Sequence, residues 1–212
     1  MSRALFPESA APGGERAEAE EADRALAERI REGDAAAFET LFHRYYGRLH
    51  AFARTYVRAP EAAEDLVADV FVRVWERRTE WELRGGPRAY LYGAVRNEAL
   101  AWLRRQRMLD RAHADALRDD RRPGMGAAPL AGDAQLEARE LAEAIDRAVD
   151  ALPDRSREAF VLHRRHGLSY AEVAAAMDIS PRTVEVHIGR AFKALRTRLS
   201  TLLSLLVMLS VG

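Results

Sequence analysis

The chain has 212 residues, with 33 basic and 33 acidic side chains, a formal net charge of +0, 48% hydrophobic residues and no cysteine. Such a length holds one or two domains with real cores, and the lack of cysteine excludes disulfides and thiolate metal sites and suits a reducing cytosol. Balanced charge excludes a globally basic nucleic-acid binder, yet Glu61 to Glu82 leans acidic while Arg84 to Arg111 and Arg182 to Arg198 lean basic, so local patches can still hold phosphate.

Met1 to Ala22 is rich in Ala and Glu, lacks the apolar core of a signal peptide, and reads as a disordered acidic tail, residues 1–22. A short helix is predicted from Asp23 to Arg31, stopped at Gly33. Asp34 then caps a periodic helix whose Phe38, Leu41, Phe42, Tyr45, Leu49, Phe52 and Tyr56 share one face, read as core. Pro60 opens a third helix with a broad apolar stripe (Ala63, Leu66, Val67, Val70, Phe71, Val74, Trp75) and a charged opposite face. After a loop over Thr79 to Gly86, Pro87 restarts a helix through Arg107. It interleaves Tyr90, Tyr92 and Trp102 with Arg88, Arg96, Arg104, Arg105 and Arg107. Aromatic faces stack on unpaired bases and arginines neutralise phosphates, so this mixture suits nucleic acid whose strands are being separated, although half of the aromatics are expected in the core.

Residues 108–135 are polar and Gly/Pro/Ala-rich, too long for a turn, and read as a linker between domain 23–107 and a second domain, 136–200. The second begins with helices over Leu136 to Ala151 and Pro153 to His166, the latter closed by Gly167. Ser169-Tyr170-Ala171-Glu172 then spells a capping box. Asp178-Ile179-Ser180 makes a turn, with Ser180 as the next N-cap and Pro181 in the first helical position. In the following helix Val184, Ile188, Ala191, Leu195 and Leu199 recur at steps of three and four. That spacing buries one face and turns Arg182, Thr183, Glu185, His187 and Arg190 outward, followed by a basic run through Lys193. The layout is a helix-turn-helix with its recognition helix second, which favours DNA binding over a solvated αα-hairpin. Residues 201–212 are an apolar tail, shorter than the roughly 18–20 residues of a membrane span, read as a helix extension that packs on its own domain or a partner. The fold class expected is all-α, two small helical domains joined by a flexible linker.

These elements, in this order, resemble the RNA polymerase sigma factors of the extracytoplasmic-function (ECF) group. The resemblance rests on Asp34 to Leu41 with Tyr45, on Glu64-Asp65-Leu66-Val67-x-Asp69-Val70-Phe71 with Trp75, and on Tyr90-Leu91, Arg96-Asn97 and Leu103-Arg104-Arg105. In the second domain it rests on Leu152-Pro153, Gly167-Leu168-Ser169-Tyr170-x-Glu172-Val173-Ala174 and Thr183-Val184. It implies that the first domain is sigma region 2, which binds core polymerase and opens the minus-ten promoter element. The second is then region 4, which reads the minus-thirty-five element. Asp65, Leu66, Asp69, Val70, Phe71 and Trp75 would form or support the surface that docks the polymerase clamp helices. Arg88, Tyr90, Arg96, Asn97, Arg104 and Arg105 would meet the minus-ten element, with the loop from Trp81 to Arg88 helping to hold an extruded base. Arg182, Thr183, Glu185, His187, Arg190 and Lys193 would meet the minus-thirty-five element. The partners implied are core RNA polymerase, promoter DNA and an anti-sigma factor that clamps both domains in a cytoplasmic protein, with no cofactor, metal, small-molecule substrate or catalytic residue.

The chain departs from that pattern at Ala68, where members often have Gln, and at Ala101, where they often have a carboxylate. Glu185, Val186 and His187 stand where members often have basic or hydroxyl residues, so its minus-thirty-five sequence is its own. Thr183-Val184-x-x-His187-Ile188 is also similar to the output domain of LuxR-type regulators, but those place an α/β domain first, and the N-terminal half here reads as helices only. An enzyme finds little support. Gly124-x-Gly126 lies in the linker rather than between strand and helix, and His163 and His166 have no metal-ligand partners at suitable spacing.

Overall fold

Asp34 accepts hydrogen bonds from the backbone N–H groups of Ala36 and Ala37 (2.9 and 3.0 Å) and is also held by Arg29, which fixes the start of one helix against the end of the previous one. In the computed structural model, residues 13–57, 59–81, 83, 85–116 and 145–210 are described, with side chains for 14–110 and 145–198 of these. Every regular element among the described residues is helical: α1 (Gly13–Arg31), α2 (Ala35–Ala53), α3 (Pro60–Glu76), α4 (Gly86–Ala116), α5 over 145–150, α6 (Asp154–Phe160), α7 (Tyr170–Met177) and α8 (Pro181–Ser210). A 3-10 turn, Arg78–Glu80, follows α3, and a widened π-turn, Val161–Arg165, extends α6.

Helices α1 to α4 form the first module. Ile30, Leu41, Leu49, Phe52, Val67 and Leu91 meet in its centre and are fully buried. Each such side chain contributes roughly 1.5–3 kcal/mol on leaving water. Helices α5 to α8 form the second module around Leu162, Leu168, Val173, Val184, Ile188 and Leu195. The capping box is complete: the Ser169 hydroxyl accepts from Glu172 N–H at 3.2 Å and Glu172 accepts from Ser169 N–H at 2.7 Å. Asp178 turns the chain with φ 53°, and Ser180 accepts from Thr183 N–H at 3.1 Å to start α8.

Three sequence expectations are corrected. The first helix begins at Gly13, ten residues before Asp23, so the expected tail is helical from there on; residues 1–12 lie outside the described residues. Leu26, Ala27 and Ile30 bury the second half of this helix, and its other ties are polar and tertiary, which no apolar period signals: Arg16 donates to the Gly167 carbonyl, and Asp23, 4% exposed, accepts from Arg44 and from the Tyr45 hydroxyl. Next, α4 runs nine residues past Arg107 into the expected linker, because Met108 to Ala116 contains helix formers and no Gly or Pro. What remains of the expected linker, and the start of the helix expected over Leu136 to Ala151, lie outside the described residues.

The third correction concerns the relation of the modules, expected to be separate. They touch. Among the described residues the pairing of α4 with α7 is the most extensive between any two elements, and the two cores are continuous.

Candidate nucleic-acid and partner interfaces

The second half of the helix-turn-helix is organised as its sequence requires. Val184, Ile188, Ala191 and Leu195 are at most 1% exposed and fasten α8 to the module. On the other face Arg182, Glu185, Val186, Arg190 and Lys193 are exposed, with Thr183 and His187 half-buried at its edge. All six expected minus-thirty-five residues therefore share one accessible face. Val186, absent from that set, is 45% exposed at its middle. An aliphatic side chain there can meet only apolar matter in a major groove, and the thymine methyl is what that groove offers. The imidazole of His187 is held below its ordinary pKa by burial and then by Arg190, which favours the neutral ring, with one donor and one acceptor nitrogen.

On α3, Asp65 and Asp69 are exposed and Trp75 is half-buried, as a docking face requires. Leu66, Val70 and Phe71 are 4%, 1% and 2% exposed, so Leu66 and Val70 are core residues that hold the helix in place rather than contacts. Beside Trp75 lies an apolar groove of about 360 Å³ lined by Phe38, Phe42, Ala68, Phe71, Val72 and Trp75. Phe38 packs on Trp75 with centroids 5.1 Å apart and Phe42 on Phe71 at 4.9 Å. The core reading of Phe38 and Phe42 thus needs correction: both are half-buried groove walls. Val72, 54% exposed beside it, was missed because a single valine outside the stripe carries no periodic signal.

The expected minus-ten residues divide. Asn97, Arg104 and Arg105 are exposed on α4. Tyr90 is half-buried, edge-on to Trp81 at 5.4 Å, and Trp81 is itself fixed by Arg31 donating to its carbonyl at 2.9 Å. Arg96, expected on a DNA-facing surface, is 5% exposed: its Nη2 and Nε donate to Glu158 Oε2 of the second module at 3.0 and 3.3 Å, and its Nη1 to Asn97 at 3.3 Å. Arg88 donates to the carbonyl of His166 and lies 3.9 Å from Glu172. Two of the six are therefore engaged by the other module, a pairing across 62 and 78 residues that no local pattern encodes.

Burial of Tyr92, whose hydroxyl lies 3.1 Å from His166 Nδ1, pushes its pKa up to about 12. Burial, then Arg165 and Arg88, lowers His166 to about 4, so both groups are neutral at pH 7. Among the described residues no group of His, Asp and Glu side chains is arranged to hold a metal ion, and no helix is long and apolar enough to cross a membrane.

Comparison with known proteins identifies both modules. Residues 41–108 match the family model of sigma-70 region 2, and residues 142–195 that of sigma-70 region 4. The chain is 35% identical over 175 residues to the RNA polymerase sigma factor CarQ of Myxococcus xanthus, covering 82% of this chain and 96% of that one. It is 28% identical over 184 residues to the ECF RNA polymerase sigma-E factor of Escherichia coli K12, covering 85% and 96%. Among solved structures it is similar to CnrH in complex with the cytosolic domain of CnrY, at 28% identity and a TM-score of 0.58 over 85% of this chain and 98% of that one. With both halves matched and a relative covered almost end to end, the chain belongs to the RNA polymerase sigma factors of the extracytoplasmic-function group, non-enzymatic initiation factors that direct polymerase to promoters.

Proposed function

We propose that the outward face of α8 reads the minus-thirty-five element through Arg182, Thr183, Glu185, His187, Arg190 and Lys193, while α4 meets the minus-ten element through Arg88, Tyr90, Arg96, Asn97, Arg104 and Arg105. The observation that carries this reading is the division of α8, with Val184, Ile188, Ala191 and Leu195 buried and Arg182, Glu185, Arg190 and Lys193 exposed on a helix that follows a capped turn. Guanidinium and carboxylate groups on such a face can pair with guanine and cytosine edges, and each good base contact discriminates by about 1–3 kcal/mol. Extruding a minus-ten base costs a few kcal/mol. Stacking and hydrogen bonding to the freed base offset that cost, so opening is a binding process without covalent chemistry.

Asp65, Asp69 and Trp75, with the groove beside them, form the surface for the polymerase clamp helices. An apolar groove edged by Glu76, with Asp65 and Asp69 exposed on the same helix, suits an amphipathic helix with basic flanks. The same surfaces suit an anti-sigma partner, a reading supported by the likeness to CnrH bound to CnrY. The protein acts in the cytoplasm, where polymerase and promoter are.

Reading both elements at once requires an open molecule. The two elements lie about 25 base pairs apart, roughly 85 Å along a duplex rising 3.4 Å per base pair. Residues 117–144 link α4 to the second module, and a segment of that length reaches at most about 95 Å, so the chain is long enough. The deciding experiment is run-off transcription with purified core polymerase on a genomic promoter library. Discrete start sites that depend on this chain are expected; tight DNA binding without any transcript would instead mark a regulator.

A further inference from the structure

Helix α8 does not stop where its module does. Among the described side chains of this helix the last in the core is Leu195, and Arg198 donates to the Ala148 carbonyl of α5 at 3.3 Å. The helix nevertheless continues unbroken to Ser210, about 18 Å further at a rise of about 1.5 Å per residue. Along that rod the sequence changes character. From Val186 to Gly212 there is no acidic residue; Arg190, Lys193, Arg196 and Arg198, all exposed, are its only Lys or Arg residues, and from Leu199 onward no residue is charged.

Register supplies the second line of argument. Leu199, Leu202, Leu206 and Leu209 prolong, at steps of three and four, the stripe by which Val184, Ile188, Ala191 and Leu195 are buried in the module. Leu203, Leu205 and Val207 fall to either side of that stripe, so apolar positions take up more than half of the circumference, while Ser200, Thr201 and Ser204 keep step with Thr197 along the remainder. A helix covered only by its own module needs a single stripe. A wide apolar arc, a narrow strip of small hydroxyl residues and a basic collar at one end suit a helix that lies in a lipid–water interface.

We propose that residues 199–210 of α8, with the collar of Arg190, Lys193, Arg196 and Arg198, bind an anionic lipid surface. The segment is shorter than the roughly 18–20 residues of a span, so it lies along the headgroups rather than across the bilayer. A second copy of the chain suits it less well: Leu203 and Leu205 flank the leucine seam where a two-stranded coiled coil carries charges. Apolar insertion of a short segment binds weakly by itself, and phospholipid anions met by the collar supply the second attraction that makes it hold. Because Arg190 and Lys193 also belong to the outward face of α8, membrane and minus-thirty-five element draw on the same cations, a consequence that rests on the promoter reading of that face. Lipid-bound factor is thereby withheld from promoters.

Flotation of the full chain with vesicles of equimolar phosphatidylglycerol and phosphatidylcholine, against vesicles of phosphatidylcholine alone, tests the proposal. Binding is expected to the anionic vesicles, several-fold weaker to the neutral ones, and weakened by salt. Leu202→Gln with Leu206→Gln, which keeps good helix formers, should reduce vesicle binding by roughly tenfold or more and leave promoter affinity unchanged. Arg196→Glu should reduce vesicle binding several-fold. Anionic vesicles should also release a promoter fragment from the unsubstituted chain and not from the glutamine variant. No flotation of the unsubstituted chain, or equal binding to the two kinds of vesicle, would overturn the lipid site. So would a melting temperature several degrees lower for the glutamine variant in vesicle-free buffer, which would place the leucines on their own module, or a dimer in sedimentation that the variant abolishes, which would place them between copies. Flotation bears on the lipid site and run-off transcription on the promoter role, so failure of one is told from failure of the other.

Discussion

Arg96 and Glu158, 62 residues apart in sequence, meet at 3.0 Å in a setting that leaves both almost wholly out of water. A buried pair of this kind is a poor source of net stability, yet breaking it from one side is costly. Glu158→Gln and Arg96→Met should each reduce the stability of the closed chain by about 3–5 kcal/mol, whereas the double replacement Arg96→Met with Glu158→Leu should be nearly neutral. A double-mutant cycle in urea checks this; additive losses would show that the two groups do not interact.

The groove between α2 and α3 should be the polymerase contact. Val72 is 54% exposed at its edge, so Val72→Glu should change stability by no more than about 0.5 kcal/mol. It should nevertheless weaken holoenzyme formation by roughly tenfold or more, since it sets a charge against an apolar contact. Titration of labelled core polymerase measures the loss, and unchanged affinity would move the docking surface elsewhere.

On α8, Arg190→Ala should cost about 1–3 kcal/mol in recognition of the minus-thirty-five element and relax selectivity at one base pair, as should Glu185→Gln at a cytosine. Val186 should read a thymine methyl. Replacing each thymine of the element by uracil in turn should weaken binding several-fold at one position, and Val186→Ala should abolish that difference. Equal affinity for every uracil-substituted duplex would remove Val186 from the reading face.

Acid should open the molecule. His166 sits against Tyr92 and Phe52 of the other module, with Arg88, Arg48 and Arg165 around it, and burial chiefly lowers its pKa to about 4 from 6.5. The closed form therefore takes up this proton less readily than the open or unfolded chain. Its contribution is fully present above pH 6.5 and is lost as pH falls from there toward about 4. The distance between labels on the two modules, followed from pH 7.5 downward, should lengthen over that window. His166→Gln should flatten the response.

The helices were legible in the sequence because their causes are local. Asp34, Ser169 and Ser180 each cap the helix they precede, and the apolar steps from Val184 to Leu195 name the buried face of α8 and, by exclusion, its reading face. The family and its task were legible for the same reason, since each motif lies within one helix or one turn.

What tertiary structure alone decided is which of those faces meet. Nothing near residues 13–22 in sequence announces the tertiary contacts of α1, among them Arg44 and Tyr45 on Asp23, and so the first half of α1 reads as a tail. Phe38 and Phe42 keep helical step with the core but wall a groove, because α3 leaves that side uncovered. Arg96 looks like a free phosphate ligand until Glu158 arrives, and Gly93 looks like a defect in a helix until Ala176 fills the space beside it. Period and capping report what a residue does within its own turn; whether its outward side faces water, a partner or the other half of the chain depends on contacts across the sequence that leave no local trace.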